Sequence, residues 1–445
     1  MRQIRTGLAL LLALCFLTVS VLAAGCAFTD LDGSPASGAA SVLADQGLMN
    51  GVGEDRFAPD DPMTRAMLAA ILFRLAGEDP ADYTETPLTD APAECWYGPA
   101  AFWAWQAGLL GDDSLNFAPE RAITLSELLT ALCRYAGDFS SDPVTWGKAL
   151  ADHLNGALQE ADTLTRAQAA MVLAAFAEME RPTPLTLLDL SSANPTFAAL
   201  TDRDGGHSYT WTRTLYTGGE ITLREEQSRR YLPDGDNYLV ELSWDSYGVR
   251  AVYTRDKAFG AEGDGIGLFA LTPGECRKIV DDLCGERLFE YTARERIIGL
   301  TRTDGTYAVK TLVTYEGGST TYTYTLDEGD LRILEFLAED FDENGARFGS
   351  VNMAVCYEAP TVDTAFLARI EAMEQGARRT CTRITDPGTP QENVETFSVP
   401  EGCYFYFPEI TGYGYFLDPG GAAAMEDEQL PPHGDITIYR IPTEK

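Results

Sequence analysis

Apolar residues in the first third of the chain recur at helical spacing. Leu68, Ile71, Leu72 and Leu75 follow an i, i+3, i+4, i+7 pattern, which gives a helix one apolar stripe. The same stripe returns as Leu128, Ala131, Leu132 and Tyr135, and again as Ala169, Val172, Leu173 and Phe176. The surrounding text repeats too. "FAPDDPMTRAMLAAILFRLAG" (57–77) aligns without a gap with "FAPERAITLSELLTALCRYAG" (117–137). A worn third copy, "LTRAQAAMVLAAFAEM" (164–179), keeps the helix but has a shorter loop without Phe-x-Pro. Each copy has an earlier half: "SGAASVLADQGLMNGV" and "YGPAAFWAWQAGLLGD" read as short helices stopped by Gly47 and Gly108, and the third opens at "VTWGKALADHLNG". No single copy can bury its stripe, so the three are expected to pack into one all-α domain, with boundaries at 28–80, 88–140 and 144–180. Trp103 and Trp105, two apart, cannot share a helix face, so at least one of them is expected to be exposed at a groove or domain boundary.

Past the Pro-containing joint "MERPTPLTLLDL" (179–190) the period changes from helical to two. "HSYTWTRTLYTGG", "DNYLVELSWDSYGVRAVYTRD" and "TYAVKTLVTYEGGSTTYTYTLDEG" alternate Thr, Tyr and Val with polar residues between Gly and Asp turns. Residues 190–380 are therefore predicted to form a curved antiparallel meander. Two helices interrupt it: 272–285, with Thr272 as cap, Pro273 at its first position, Glu275 and the stop Gly285, and a second near 361–375. Residues 381–445 read as a small all-β module. The fold class is multidomain α plus β. "DFDENG" (340–345) opens like a calcium loop but reaches Val351 where a bidentate Glu is required, so it reads as a hairpin turn. "TDRDGG" (201–206) and "PDGD" (233–236) read as turns as well.

The amino terminus has its own pattern. Arg2 and Arg5 precede an apolar run from Leu8 to about Ala24, followed by small residues, which is the form of a secretory signal peptide over 1–27. Cleavage is expected near Ala27; "LAAGC" leaves lipidation of Cys26 as the alternative. No second apolar span follows, so no transmembrane segment is expected in the mature chain. A net charge of −35 over 445 residues argues against nucleic acid and anionic bilayers as partners. The cysteines beyond residue 27 are scattered without a CxxC, which indicates neither a zinc site nor a disulfide framework.

These repeats resemble S-layer homology repeats: an opening Phe-x-Asp, a Trp-led helix, a Phe-x-Pro loop, then Thr-Arg-Ala-Glu starting a second helix. Here the last motif stands as "TRAM" (64–67), "TLSE" (124–127) and "TRAQ" (165–168). Thr at the N-cap with Glu or Gln three residues on is a capping box, which accounts for Thr124–Glu127 and Thr165–Gln168. It does not account for Arg65 and Arg166, cations at helix starts where the macrodipole disfavours them. The resemblance implies an anion for them: a cell-wall polysaccharide, often with a pyruvyl carboxylate, held in grooves between copies. The binding candidates are Thr64, Arg65, Thr165, Arg166 and Glu127, with Trp96 and Trp146 available to stack on sugar rings. Leu125 breaks the series in copy two, and Met67 replaces the acid in copy one.

Catalytic spacing is missing. The three histidines (His153, His207, His433) stand apart from Cys and Glu, and no Gly-x-Ser-x-Gly, His-Glu-x-x-His or phosphate loop occurs. No cofactor or metal ligand set is indicated. The expectation is a secreted, non-enzymatic protein of a Gram-positive-type surface, anchored non-covalently by its repeats and displaying a β-rich module. The alternatives are an anchored glycan or wall hydrolase with carboxylates too common here to place, and a lipid-tethered carrier. For the last, a curved sheet crossed by a helix resembles the half-barrel lipoprotein carriers, a likeness of texture with no motif behind it.

Overall fold

The computed structural model describes residues 28–442, apart from 54, 155–161, 235–236, 245–248, 254–256, 263–264, 270–272, 358–363, 407–412, 422–428 and 431–433. The signal-peptide reading of 1–27, Cys26, the Thr272 cap and His433 therefore lie outside the described residues. The chain divides into two compact units, Met1–Leu187 with Thr292–Thr301, and Leu188–Tyr291 with Arg302–Lys445.

The first unit is helical. Its main helices are α1 (Ser37–Asp45), α2 (Arg65–Ala76), α3 (Gly98–Gln106), α4 (Leu125–Tyr135) and α5 (Arg166–Ala177). All the stripe positions named above are buried except Leu75, which is half-buried. Helices α2, α4 and α5 begin at one place and tie their starts together. Met63 N–H donates to the Leu164 carbonyl, Leu164 to Ile123, and Ile123 back to Met63, at 2.9, 3.0 and 2.9 Å, a closed ring of three backbone bonds. Outside it, the first N–H of each helix donates to a neighbouring carbonyl: Arg65 to Arg121, Leu125 to Asp162 and Arg166 to Asp61. Those N–H groups would be orphans in an isolated helix. Here the neighbours satisfy them.

Both Trp103 and Trp105 are buried, at 1% and 2% exposure, which corrects the expectation that one is at the surface. Two faces of α3 are covered. Trp103 packs edge-on between Phe73 and Tyr135, while Trp105 donates Nε1–H to the Asp112 and Ser114 carbonyls. The far side is closed by the returning segment 292–301: the Arg296 guanidinium lies 5.7 Å from the Trp105 ring and pairs with Asp113 at 3.1 Å. Gly108, in the left-handed region at φ 71°, is where the Ile297 carbonyl comes closest; a Cβ there would sit 2.1 Å from that oxygen.

The second unit is mainly antiparallel sheet. After a short helix at Leu187–Ala193 comes α6 (Phe197–Asp204), so residues 201–204, expected as a turn, close a helix instead. Phe197 and Leu200 are both buried and draw that stretch onto the sheet. A first meander holds β1 (His207–Thr217), β2 (Glu220–Asp234), β3 (Asn237–Trp244), β4 (Val249–Tyr253), β5 (Ala258–Glu262) and β6 (Gly265–Phe269). Helix α7 (Pro273–Gly285) follows, then β7 (Glu295–Thr303), whose residues 295–301 belong to the first unit, and β8 (Thr306–Tyr315), β9 (Gly318–Asp327), β10 (Ile333–Asp342) and β11 (Arg347–Cys356). The β10–β11 turn is the "DFDENG" hairpin, with Asp342 Oδ1 accepting from the N–H groups of Asn344 and Ala346. Pairing of β1 with β11 joins the two meanders into one large sheet.

After α8 (Thr364–Glu374) come β12 (Arg378–Thr385), β13 (Asn393–Pro400), β14 (Tyr404–Tyr406), β15 (Tyr413–Phe416), β16 (Gln429–Leu430) and β17 (Ile436–Pro442). Four of these form a sheet in the order β13-β12-β17-β15, while β14 pairs in parallel with β6 and carries β16 onto the large sheet. One core cluster spans both: Val252 and Phe259 pack with Ile370, Cys381, Val399, Tyr415 and Ile438.

Candidate functional site

The Thr residues at the helix starts work as caps. Thr64 Oγ1 accepts from Met67 N–H at 3.3 Å, while Thr124 and Thr165 form complete capping boxes with Glu127 and Gln168. In α2 and α5 the three first-turn N–H groups are bonded to neighbouring carbonyls or to the capping Thr, which leaves no free backbone donor for an anion at those two helix starts. The positions of Arg65 and Arg166 therefore follow from other contacts.

The two arginines run sideways. Arg65 is buried; its guanidinium donates to the Phe117 carbonyl and to Glu127 at 3.0 Å, and lies over the Phe117 ring. Arg166, 4% exposed, donates Nε–H to the Phe57 carbonyl and an Nη2 hydrogen to the Asn50 carbonyl, both at 2.9 Å. Its charge also sits 4.8 Å from the Phe57 ring centre. Each arginine thus clasps the Phe-x-Pro loop of another copy: copy one holds copy two, and copy three holds copy one. The third clasp would need a Phe-x-Pro loop in copy three, which the sequence lacks, and copy two has the buried Leu125 at that position.

The clasped loops are shaped by aspartates. Asp30 accepts from the N–H groups of Phe57 and Ala58, and Asp90 from those of Phe117 and Ala118, all at 2.7–2.8 Å. Ala58 and Ala118 are held at φ 56° and 52°, a conformation that costs a non-glycine residue energy. The Phe57 N–H bond is the largest cause keeping the Asp30 carboxyl below the usual carboxylate range. Asp138 is held down to about 2, chiefly by the Ser141 hydroxyl. Groups with depressed folded pKa values stabilise fully above the unfolded value of about 3.9 and lose that contribution as pH falls through the folded one. Urea unfolding of the helical unit should therefore show a midpoint that is flat above about pH 5 and drops steeply below about pH 4; a midpoint unchanged down to about pH 2.5 would contradict the aspartate clasps.

Trp96 and Arg166, remote in sequence, meet in one groove. It measures about 180 Å³ and is lined by Met49, Asn50, Gly51, Met67, Ala70, Ile71, Arg74, Trp96 and Arg166. Trp96 is 63% exposed, steadied edge-on by Tyr97 at 5.3 Å. Arg74 reaches across to the Leu48 carbonyl at 3.0 Å. The remaining contact of Arg166 is a weak one, Nη1 to the Met67 sulfur at 3.7 Å, so its guanidinium carries more N–H donors than its contacts use. Burial pushes its pKa down, with Asp61 and Asp30 acting in the opposite direction. The groove combines a cation with spare donors, a second arginine, an open aromatic face and backbone carbonyls. That is a donor-rich, one-sided cleft suited to a carboxylate-bearing sugar.

The other candidates do not converge there. Glu127 is taken by Arg65, Arg121 and the Thr124 N–H. Trp146 is half-buried and packs against Phe176 at 6.4 Å. Asn50 and Arg74 were missed by sequence reasoning; Arg74 recurs as Arg134, which donates to the Gly108 carbonyl at 2.7 Å, and that equivalence was available in the alignment of copies.

A family comparison settles what this stretch is. Residues 27–67 are an S-layer homology domain. Such domains bind cell-wall polysaccharide, so the match indicates a cell-surface location, and the domain itself is non-catalytic. The matched residues hold Asp30, Asn50, Thr64 and Arg65; Trp96 and Arg166 lie beyond them. Endo-1,4-beta-xylanase A of Thermoanaerobacterium saccharolyticum is 30% identical over 104 residues, 23% of this chain and 9% of the enzyme. Amylopullulanase of Thermoanaerobacterium thermosulfurigenes is 27% identical over 107 residues, 24% of this chain and 6% of the enzyme. The chain thus spans less than a tenth of these relatives. Among solved structures, a LolA superfamily protein from Nitrosomonas europaea matches 38% of this chain and 97% of its own, at 8% identity and a TM-score of 0.16. Among the described residues, no helix is long and apolar enough to cross a membrane.

Proposed function

We propose that the helical unit is a set of three S-layer homology repeats. In this reading it anchors the chain non-covalently to an anionic, carboxylate-bearing polysaccharide of a Gram-positive-type wall, and displays the β-rich unit outward. The binding site is the groove of Arg166, Arg74 and Trp96. The observation that carries the proposal is the meeting of a guanidinium with spare donors and a largely exposed indole in one cleft, from copies far apart in sequence. Arg65, Glu127, Thr64 and Thr165 then serve the site by holding its walls in place. Trp146 serves the core.

The test is sedimentation of the mature chain with purified walls, intact and stripped of their anionic polymer. Intact walls should retain the protein and stripped walls should not. Because Trp96 is exposed, Trp96→Ala should weaken retention about three- to tenfold, as expected for one lost stacking contact, with no change in melting temperature. Equal retention on stripped walls would sink the proposal. The names of the two enzyme relatives suit a second reading, an anchored glycan hydrolase; release of reducing sugar from xylan or pullulan by the mature chain would establish it.

A further inference from the structure

In the β-rich unit, α6 and α7 pack on one face of the large sheet. Alternation along β1 sends His207, Tyr209, Trp211 and Arg213 to that same face. The first two are covered: Phe197 of α6 stacks on His207 and Tyr209, at 5.2 Å each, and on Tyr231 at 4.6 Å. Further along, the cover ends. Cross-strand register sets Trp211 opposite Met353, Met353 opposite Phe336, and Arg213 opposite Val351. Trp211, Phe336, Val351 and Met353 are only half-buried, although their buried neighbours on the same face make one core cluster with Val240, Leu242 and Val280.

Over these four side chains runs an open groove of about 440 Å³, walled by Phe197 and Leu288 and edged by Arg213, Glu286 and Arg287. Its volume falls within the range of about 300–1,000 Å³ typical of small-molecule sites. The floor is apolar and the charge is confined to the rim. Glu286 is neutralised by Arg229 at 2.7 Å. Arg287 donates to the Ser191 hydroxyl at 3.2 Å and, among the described residues, pairs with no carboxylate. Arg213, half exposed, reaches Glu225 only at 3.9 Å. In a chain with 68 acidic and 33 basic side chains, an apolar groove whose rim keeps two under-paired guanidiniums is complementary to an anion with an apolar tail.

We propose that this groove binds a single-chain carboxylate amphiphile, a fatty acid, with its alkyl chain on Trp211, Phe336, Val351 and Met353 and its carboxylate on the rim arginines. The proposal stands apart from wall anchoring and survives its failure. The experiment is calorimetric titration of the mature chain with saturated fatty acids below their micelle concentrations, beside dodecanol and dodecyl phosphate. Affinity should rise about fourfold per added methylene until the groove is filled. Dodecanoate should bind about tenfold or more tightly than dodecanol. R213E with R287E should abolish that preference and leave dodecanol binding unchanged, and Trp211→Ala should weaken both. Circular dichroism of the rim variants should match the parent, since both sites are exposed. No saturable binding, equal affinity for acid and alcohol, or tighter binding of the phosphate each overturns the proposal.

Discussion

Arg166→Ala is expected to weaken retention on walls ten- to a hundredfold and to destabilise the helical unit at the same time. The two effects come from different atoms of one side chain. Spare guanidinium donors facing the groove supply a charge-assisted bond of about 1.5–3 kcal/mol, which accounts for the affinity loss. The donors already used hold the Phe57 and Asn50 carbonyls, and the cation lies on the Phe57 ring. Losing these should cost roughly 2–4 kcal/mol of stability, visible as a lower melting temperature. Arg166→Lys keeps the charge but cannot reproduce the two-carbonyl clasp, so it should keep part of the binding and little of the stability. An Arg166→Ala protein with unchanged melting temperature would show that the clasp does not bear on the fold. One with unchanged wall retention would remove Arg166 from the groove's chemistry.

Trp103→Ala should cost about 3–5 kcal/mol, the range for deleting a large buried aromatic, and should leave the helical unit substantially unfolded at moderate urea. Trp103 is 1% exposed and sits edge-on between Phe73 and Tyr135, so the cavity it leaves has aromatic walls that cannot close inward. Its indole nitrogen is buried without a hydrogen-bond partner among the described residues, so Trp103→Phe loses volume but no bond seen there and should cost far less. Chemical denaturation followed by circular dichroism separates the two. If Trp103→Ala unfolds at the parent's midpoint, α3 is not the centre of the core.

What sequence could reveal here depended on range. The caps are local: Thr64, Thr124 and Thr165 accept from residues three positions on, and the letters alone announce that. The stripes, the β meanders and the helices near 273–285 and 364–374 were equally legible, because each rests on a period within one element. The clasps made by the arginines were not legible, because their partners are not local. A helix start looks exposed until a second helix start is placed against it, and Arg166 finds its acceptors 109 and 116 residues away. Helix α3 failed for the same reason, since its second cover arrives from residues 292–301. One long-range signal was available and unread: Asp30 and Asp90 both stand 27 residues ahead of the phenylalanine whose N–H they accept. An equal offset in two copies marks a contact kept by the repeat. The fatty-acid groove had no such signal, because its floor comes from strands joined only by sheet register and its rim from a helix end.

The returning segment 292–301 sets a timetable as well as a boundary. A secreted chain leaves its channel amino terminus first, and domains that are continuous in sequence can complete themselves as they emerge. This anchor cannot. Arg296 closes over Trp105 and Ile297 meets Gly108 only after residue 301 has appeared, by which time the whole first β meander and α7 are already outside. Until then the far side of α3 presents an open indole to whatever lies at the channel exit. Grip on the wall, if it depends on a finished helical unit, comes late in export, so the chain would be carried clear of its exit before it fastens.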